Sequence, residues 1–465
     1  MTTLRWNRRD MLKASAAALA LPSFVPARVL GAGGRPGANE QVRIGVIGPG
    51  GRAGAIVAAL RGVSEAKIVA LCDCYLPIAE GFAAKHGKYE KWTLYEDFRQ
   101  MIEKEKLDAV AIETPTHPRA WISILAMQMG VDTYIEKPMC LTIAEGRAMV
   151  RAARKYERVT QVGTQQRSMP INNWASDLVK NGSLGKIHTV LAPNFVSADK
   201  WEDQSAEGMP PGGSKNWWDV WTNQAVLRPY HRQIHRGWNR WWDYDGGGRC
   251  FGVTGWGTHS YDQINRALGT DDTGPAEIWL EEPVKVADTG KYEDDKIADA
   301  VAEGDTGAGY HRLSRKVVGL RAKVSMRFAN GTVLKLHLDG DRGPGLGAIF
   351  IGEKGKLEVN RNKLASNPKE LILASDNPGP NKLNETQYHV QNFVNCIKSR
   401  QRCTADIEIG QRATTLCYLV NIVRDVDHVD EKLIWDPVAE RFTNCEAGNQ
   451  LLSRPRRAGW ELPSV

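Results

Sequence analysis

The sequence has no long hydrophobic run, no CxxC cysteine pair and no large excess of one charge outside its N-terminus. No apolar stretch reaches the roughly 20 residues of a membrane-spanning helix, so we expect no span. The eight cysteines include no CxxC pair, and several lie in apolar strand or helix patterns. We therefore expect buried thiols and no metal site.

The positive charge is concentrated at the N-terminus. Residues 1–31 contain five basic residues and one acidic residue, a net +4 of the formal +7 of the whole chain. The +3 that remains gives no electrostatic footprint for nucleic acid. We expect no nucleic-acid partner.

The N-terminal segment has the features of a targeting signal. Arg8 and Arg9 precede a short, weakly apolar run of alanine and leucine that ends before Pro22. A paired arginine in this position is typical of a bacterial twin-arginine signal; an ordinary secretory signal and an amphipathic helix are the alternatives. We predict a twin-arginine signal over 1–31 and a periplasmic or otherwise exported protein. Because that route carries folded cargo, a cofactor would be bound before export.

At 465 residues the chain is long enough for two domains. Over 38–165, short apolar strand patterns alternate with helical patterns, which predicts an α/β domain with a doubly wound parallel sheet of the Rossmann type. Over 166–465, strand-like runs are separated by the hairpin signals "ANGT" and "EKGK". These features predict an α+β domain with a large, mostly antiparallel sheet.

A glycine-rich loop, "GPGGRAG", follows the first predicted strand. Gly48 and Gly50 occupy the first two positions of a dinucleotide fingerprint and Ala53 the third, with Gly51 and Arg52 between them. Gly48 permits a tight turn, and Gly50 leaves bare backbone where a pyrophosphate approaches a helix N-terminus. The strand before the loop and the helical pattern after it support NAD or NADP binding.

Asp73 indicates which of the two dinucleotides is bound. It ends the second predicted strand, 20 residues after Ala53. An acid there can accept both ribose hydroxyls and repels a 2′-phosphate, which favours NAD over NADP. NADP is the alternative, since the guanidinium of Arg52 can contact a phosphate.

Ligands of parallel sheets bind beyond the carboxyl ends of the strands. The predicted cofactor-site side chains at the later strand ends are Thr114, Pro115, His117, Glu136, Lys137 and Gln165, with Arg167 assigned to the substrate. A surface position is the alternative for His117, and a surface ion pair for Arg167. For Lys137, the alternative is a plain turn, because Pro138 biases the residue before it away from helix.

Together, "GPGGRAG", Asp73, "TPTH" and "EKP" make the chain resemble the Gfo/Idh/MocA oxidoreductases, which include glucose–fructose oxidoreductase and inositol dehydrogenase. The resemblance continues through "YHVQNFVNCIKSRQRC" to the C-terminal part of the chain. It implies that Lys137 lies beside the nicotinamide and the reacting sugar carbon, often after a cis Lys–Pro bond. It also implies that the second sheet covers the cofactor cleft and forms the interface of a homodimer or homotetramer.

The amine of Lys137 suits this chemistry. Partial burial and a nearby oxidised nicotinamide both disfavour an ammonium, so its pKa should fall. It can then orient the substrate hydroxyl or share its proton while hydride leaves the carbon. We assign Lys137 to catalysis and to substrate binding.

His259, in "GWGTHSYDQINRALG", is the second catalytic and substrate-binding candidate. Family members commonly carry an aspartate four residues before the matching histidine, and here that position is Gly255. Asp262, one helical turn further on, or an acid from the insertion described next would have to replace it. Asp262 is therefore included among the substrate-site residues.

Residues 197–257 form a Trp-rich insertion, with eight of the 15 tryptophans of the chain. Two interpretations are open: a compact aromatic core, or a platform for sugar rings. The polar segment 285–315 is expected to be an exposed loop or lid.

These features predict an exported NAD(H)-dependent oxidoreductase that acts on a sugar or polyol and holds its nicotinamide tightly, since the periplasm offers no dependable free pool. An NAD-dependent glycosidase or epimerase that oxidises a sugar carbon transiently is the alternative. A non-catalytic sugar sensor is a third class, disfavoured by the presence of both Lys137 and His259.

Overall fold

A computed structural model of the chain describes residues 37, 40–88, 90–248, 251–287, 319–338, 344–361, 363–429 and 431–465. The predicted signal over 1–31 and most of the polar segment 285–315 lie outside the described residues. Val42–Val465 form one compact unit. None of the helices in the described ranges combines the length and the apolar composition needed to cross a bilayer.

The first sheet is parallel and six-stranded, in the order β3-β2-β1-β4-β5-β6. Its strands are β1 (Val42–Ile47), β2 (Ala66–Cys72), β3 (Thr93–Tyr95), β4 (Ala109–Ile112), β5 (Asp132–Ile135) and β6 (Thr160–Val162). The helices between them are α1 (Gly51–Arg61), α2 (Leu76–His86), α3 (Phe98–Glu105), α4 (Arg119–Gln128) and α5 (Ile143–Lys155). This is the predicted doubly wound Rossmann sheet, which is confirmed.

The register of this sheet brings five strand ends into one row. Ile47 is paired with Cys72 on one side and with Ile112 on the other, Ile112 with Ile135, and Ile135 with Val162. The residues that follow these five positions therefore lie side by side at the carboxyl edge.

The second sheet has nine strands in the order β15-β14-β13-β7-β12-β11-β8-β16-β17. Its strands are β7 (Ile187–Pro193), β8 (Pro275–Leu280), β11 (Val324–Phe328), β12 (Val333–Leu338), β13 (Ala348–Gly352), β14 (Gly355–Asn360), β15 (Lys363–Asn367), β16 (Leu433–Asp436) and β17 (Arg441–Phe442), while β9 (Lys285–Ala287) pairs with β10 (Gly319–Arg321). The β7–β12 pair is parallel and the other pairs of the nine-stranded sheet are antiparallel. The predicted mostly antiparallel sheet is confirmed, and "ANGT" and "EKGK" join β11 to β12 and β13 to β14.

The helices of this part are α6 (Pro170–Lys180), α7 (Trp217–Thr222), α8 (Arg232–Gly237), α9 (Trp256–Leu268), α10 (Glu385–Ser399), α11 (Ile407–Val426) and α12 (Glu446–Gln450). Short 3-10 turns occur at Gln165–Ser168, Trp238–Arg240 and Lys369–Ile372. Helix α10 packs on the parallel sheet, because its Val390, Phe393 and Val394 share an apolar cluster with Ile44 and Val46 of β1. The polypeptide thus returns to the first sheet after completing most of the second.

The Trp-rich insertion has its own apolar cluster. Its buried rings include Trp217, Trp218, Trp221 and Trp241, packed around Ile234. The compact-core interpretation is confirmed for these four tryptophans. Two others are only half-buried and line a surface cavity of about 440 Å³ whose wall includes Lys200, Trp201, Arg228, Trp242, Asp243 and Asp425.

Candidate active site

The glycine loop after β1 has the geometry that a dinucleotide requires. Gly48 has φ +77°, and a Cβ there would lie 2.7 Å from the backbone nitrogen of Thr114. Gly50 is the N-cap of α1 and makes no side-chain cap, while the nearest atom to a Cβ at Gly50 would be 3.9 Å away. The N-terminus of α1 is therefore open to an approaching anion.

Asp73 lies beside this loop, at the end of β2. One carboxylate oxygen accepts a hydrogen bond from the backbone N–H of Tyr75 at 2.9 Å. Burial raises the pKa of Asp73 to about 7, although the Tyr75 N–H and the charge of Arg236 oppose the shift. The carboxyl group therefore titrates close to neutral pH.

Glu136 follows β5 at the carboxyl edge and accepts hydrogen bonds from three neighbouring residues. Its Oε1 accepts hydrogen bonds from Arg52 Nε at 2.8 Å and from Gln165 Nε2 at 3.1 Å, and its Oε2 accepts one from the backbone N–H of Lys137 at 2.9 Å. Burial acts to raise the pKa of Glu136, but Arg52 and Lys137 outweigh it and the net shift is downward. Arg52 also donates to Thr386 of α10 at 3.3 Å, so its described partners are both away from Asp73.

Glu113, which the sequence reading passed over, lies directly after β4. It is buried, and neither carboxyl oxygen has a hydrogen-bond partner among the described residues. Burial and the nearby Glu136 raise the pKa of Glu113 to about 8. A buried carboxyl group without a partner at this edge fits a site that receives a polar ligand. Glu113 could have been identified from the sequence, because it opens "ETPTH" at the predicted end of a strand.

Arg119, also missed, connects the two loops that follow β4 and β5. Its side chain is buried and donates to the main-chain oxygens of Thr114 at 3.0 Å, Glu136 at 3.1 Å and Pro138 at 2.6 Å. Thr114 also donates its hydroxyl to the oxygen of Pro115 at 3.0 Å. Arg119 therefore positions the loop that carries Lys137.

Lys137 reaches from the first sheet to the insertion. The Lys137–Pro138 bond is cis, as the resemblance implies. The Nζ donates a hydrogen bond to the main-chain oxygen of Gly255 at 2.9 Å. Burial lowers the pKa of Lys137, while the carboxylates of Glu136 and Asp245 act in the opposite direction.

His259 lies in the first half of α9, whose N-cap is Gly255. The ring is 5% exposed, and its Nδ1 has no hydrogen-bond partner in the described part of the chain. Burial lowers the pKa of His259 well below its usual value, and the charges of Arg361 and Lys137 add to this effect. The imidazole is therefore neutral at physiological pH.

Asp262 does not partner His259. Its carboxylate accepts from Arg167 Nε at 2.9 Å, and Arg167 also pairs with Asp271 at 2.8 Å. Burial raises the pKa of Asp262 to about 6 against the charge of Arg167. The link from Asp262 to His259, one of the two alternatives from the sequence, is replaced by this ion pair, because the fully buried guanidinium of Arg167 needs the carboxylate.

Asp245 is the acid that the insertion supplies. It is fully buried and accepts hydrogen bonds from the hydroxyls of Thr116 and Thr254. Burial raises the pKa of Asp245, and the two hydroxyls and the charges of Arg119 and Lys137 oppose that shift. The sequence analysis offered an acid of the insertion as a partner for His259, but the described hydrogen bonds of Asp245 are to these two hydroxyls and not to His259.

His117 lies within the aromatic cluster of the insertion. Its Nε2 is 2.6 Å from the main-chain oxygen of Trp221, and its ring packs on Trp221 and Tyr244. Burial lowers the pKa of His117 to about 3. The described contacts of this side chain are therefore with the insertion.

No group of three or more His, Cys, Asp or Glu side chains within the described ranges is arranged to hold a metal ion. The seven cysteines described there are free thiols. Cys250 lies outside the described residues.

Two family models match this chain. Residues 42–164 match the Gfo/Idh/MocA "Oxidoreductase family, NAD-binding Rossmann fold". Residues 178–304 and 309–462 match the "Oxidoreductase family, C-terminal alpha/beta domain". The first match confirms NAD as the cofactor, and the open helix N-terminus with Asp73 beside it fits that group.

Curated relatives are similar over part of their length. Scyllo-inositol 2-dehydrogenase (NAD(+)) of Bacillus subtilis is 33% identical over 150 residues, which is 32% of this chain and 43% of that protein. A "Glycosyl hydrolase family 109 protein" of Stenotrophomonas maltophilia is 29% identical over 239 residues, 46% of this chain and 49% of that protein. Each match thus spans less than half of the relative.

A solved structure shows the same fold. The WlbA dehydrogenase of Bordetella pertussis, solved with NADH and UDP-GlcNAcA, aligns with a TM-score of 0.57 at 15% identity, over 85% of this chain and 99% of that one. With both family models matched over most of the chain, this protein belongs to the Gfo/Idh/MocA family of NAD-binding oxidoreductases.

Proposed function

We propose that the protein is an exported NAD(H)-dependent oxidoreductase that transfers a hydride between a sugar or polyol carbon and a tightly held nicotinamide. The observation that carries this proposal is the 2.9 Å hydrogen bond from Lys137 Nζ to the N-cap residue of the helix that bears His259. An amine with a lowered pKa and a neutral imidazole thus come from two parts of the fold to one region. The similarity to a named inositol dehydrogenase supports the substrate class.

In this proposal, some residues at the carboxyl edge bind the cofactor and others act on the substrate. Gly48, Gly50 and the N-terminus of α1 would hold the pyrophosphate, and Asp73 the ribose hydroxyls. When bound, NAD supplies the acceptor for the hydride that leaves the substrate carbon. The lowered pKa of Lys137 favours loss of its proton, and the deprotonated amine would take the hydroxyl proton in the same step, while His259 would orient that hydroxyl through a ring nitrogen.

The remaining expectations complete the proposal. The segment 1–31 is the twin-arginine signal, 38–165 the cofactor domain and 166–465 the substrate and oligomerisation domain. Export with the cofactor already bound requires slow release of the nicotinamide and its regeneration in place. A homodimer or homotetramer formed through the second sheet is part of the same proposal.

A second candidate is an NAD-dependent glycosidase or epimerase that returns the hydride within one cycle. The similarity to a glycosyl hydrolase family 109 protein favours it. Cleavage of a glycoside without net change in NADH absorbance would establish this candidate. Accumulation of NADH on mixing with a free sugar or polyol would establish the first.

The direct test is mass spectrometry of the purified protein. We expect NAD or NADH to be released on denaturation, at close to one molecule per chain. A protein that contains no nicotinamide, and binds none at micromolar concentration, would contradict the proposal. Turnover of a sugar by the loaded protein separates an enzyme from a non-catalytic sugar sensor.

A further inference from the structure

The Trp-rich insertion, 197–257, contacts the loop that follows Asp73. The hydroxyl of Tyr75 donates to the main-chain oxygen of Pro211 at 2.6 Å, and its ring lies 4.5 Å from that of Trp217. A Cβ on Gly212 would lie 3.0 Å from the side-chain ring of Pro77, so Gly212 packs closely against that proline. Tyr75 is itself buried in the aromatic cluster of the insertion.

The same insertion contacts two further loops of this edge. Asp245 accepts the hydroxyl of Thr116 after β4, and Gln224 donates to the main-chain oxygen of His117. Gly255 accepts the amine of Lys137 after β5. In the sheet, β2 and β5 are separated by β1 and β4, three spacings of about 4.8 Å, so these contacts span roughly 14 Å.

A dinucleotide held with its pyrophosphate at α1 and its ribose at Asp73 would lie along this edge, beneath the insertion. Arg236 is exposed in the last turn of α8, directly after His235, whose ring packs on that of Tyr75 with centroids 5.8 Å apart. This places Arg236 near Asp73, where its charge acts to lower the pKa of that carboxyl group. We propose that the insertion forms the outer wall of the NAD site and that Arg236 contacts the adenosine part of the cofactor, so that NAD leaves only when the Tyr75–Pro211 contact opens. This inference rests on the proposed function only in taking NAD as the resident cofactor.

The test is the rate at which NADH leaves the loaded protein, followed by the loss of NADH fluorescence after addition of excess NAD. Tyr75→Phe keeps the ring but removes the hydroxyl, and we expect dissociation about fivefold faster. Arg236→Ala should accelerate it about tenfold, because a charged contact is lost. Lys215→Ala, an exposed position on the same insertion, is the matched control and should match the wild type.

Dissociation rates of Tyr75→Phe and Arg236→Ala equal to that of the wild type, in proteins that still bind NADH, would overturn this inference and leave the proposed function intact. A wild-type protein that binds no NADH would overturn both. At about pH 9, where Asp73 is ionised, the effect of Arg236→Ala should persist. Its disappearance there would show that Arg236 acts only through Asp73 and would refute the proposed contact.

Discussion

Lys137 is held by Gly255 through a 2.9 Å hydrogen bond from its Nζ to the main-chain oxygen. Lys137 follows a strand of the parallel sheet, and Gly255 begins the helix that carries His259. The resemblance places an aspartate at the position of Gly255. In this chain a carbonyl orients the amine there, and the negative charge near the amine comes from Glu136 and from Asp245, ten residues before Gly255.

Replacement of Lys137 by methionine should abolish proton transfer and leave the cofactor site intact. We expect kcat to fall about 10²- to 10⁴-fold, the usual contribution of a positioned acid–base group. The affinity for NADH, measured by fluorescence titration, should change little. Lys354→Met, on the exposed β13–β14 turn, is the control. Unchanged turnover in Lys137→Met would remove this residue from the mechanism.

Asp245→Asn should move the pH profile of kcat/KM. The charge of Asp245 raises the pKa of Lys137, so a neutral amide lets that pKa fall further. The limb of the profile that reports Lys137 should therefore shift to lower pH. Asp243→Asn, which changes a carboxylate paired with Arg228 at 3.1 Å, should leave that limb in place. If both variants keep the wild-type profile, Asp245 does not act on Lys137.

The affinity for NAD should depend on pH through Asp73. Its pKa in the protein without cofactor is about 7, and the ionised form is the better acceptor for ribose hydroxyls. Binding should therefore weaken as pH falls through neutrality, approaching about tenfold per pH unit below pH 6. Isothermal titration calorimetry between about pH 5 and pH 9 would measure this. A pH dependence that survives in Asp73→Asn would assign it to another group.

Arg119→Met should destabilise the folded protein. The buried guanidinium donates to three main-chain oxygens, and its loss leaves them without these donors. We expect the free energy of unfolding in urea to fall by at least about 1–3 kcal/mol, the cost of one buried acceptor left without a donor. Arg99→Met removes a more exposed ion pair with Asp97, and should cost at most about 1 kcal/mol. Equal losses for the two variants would contradict a special role of Arg119.

Sequence patterns predicted the parallel sheet and its row of edge residues well, because strand ends in such a sheet meet at one edge. Gly48, Asp73, Glu136 and Lys137 could all be placed by this argument. Asp245 could not, since its partners Thr116 and Thr254 are brought to it by folding of an insertion without a regular hydrophobic period.

The contacts of Arg119 and Asp262 also could not be predicted from the sequence, for a similar reason. Arg119 falls in a helical pattern, and nothing local shows that its side chain turns back to the main-chain oxygens of two loops. Asp262 stands one turn from His259, yet the competing contact with Arg167 depends on the packing of α9 against the turn Gln165–Ser168. Spacing along a helix defines which residues share a face, but not which partner they meet.

The position of helix α10 in the chain affects when the parallel sheet can fold during synthesis. Its apolar residues complete the parallel sheet, although the last strand of that sheet ends at Val162 and the helix begins at Glu385. During synthesis, the apolar face of the parallel sheet is therefore covered only after more than 200 further residues have been added to the chain. A nascent chain released at the end of the parallel sheet would be a substrate for chaperones and proteases rather than a stable fragment.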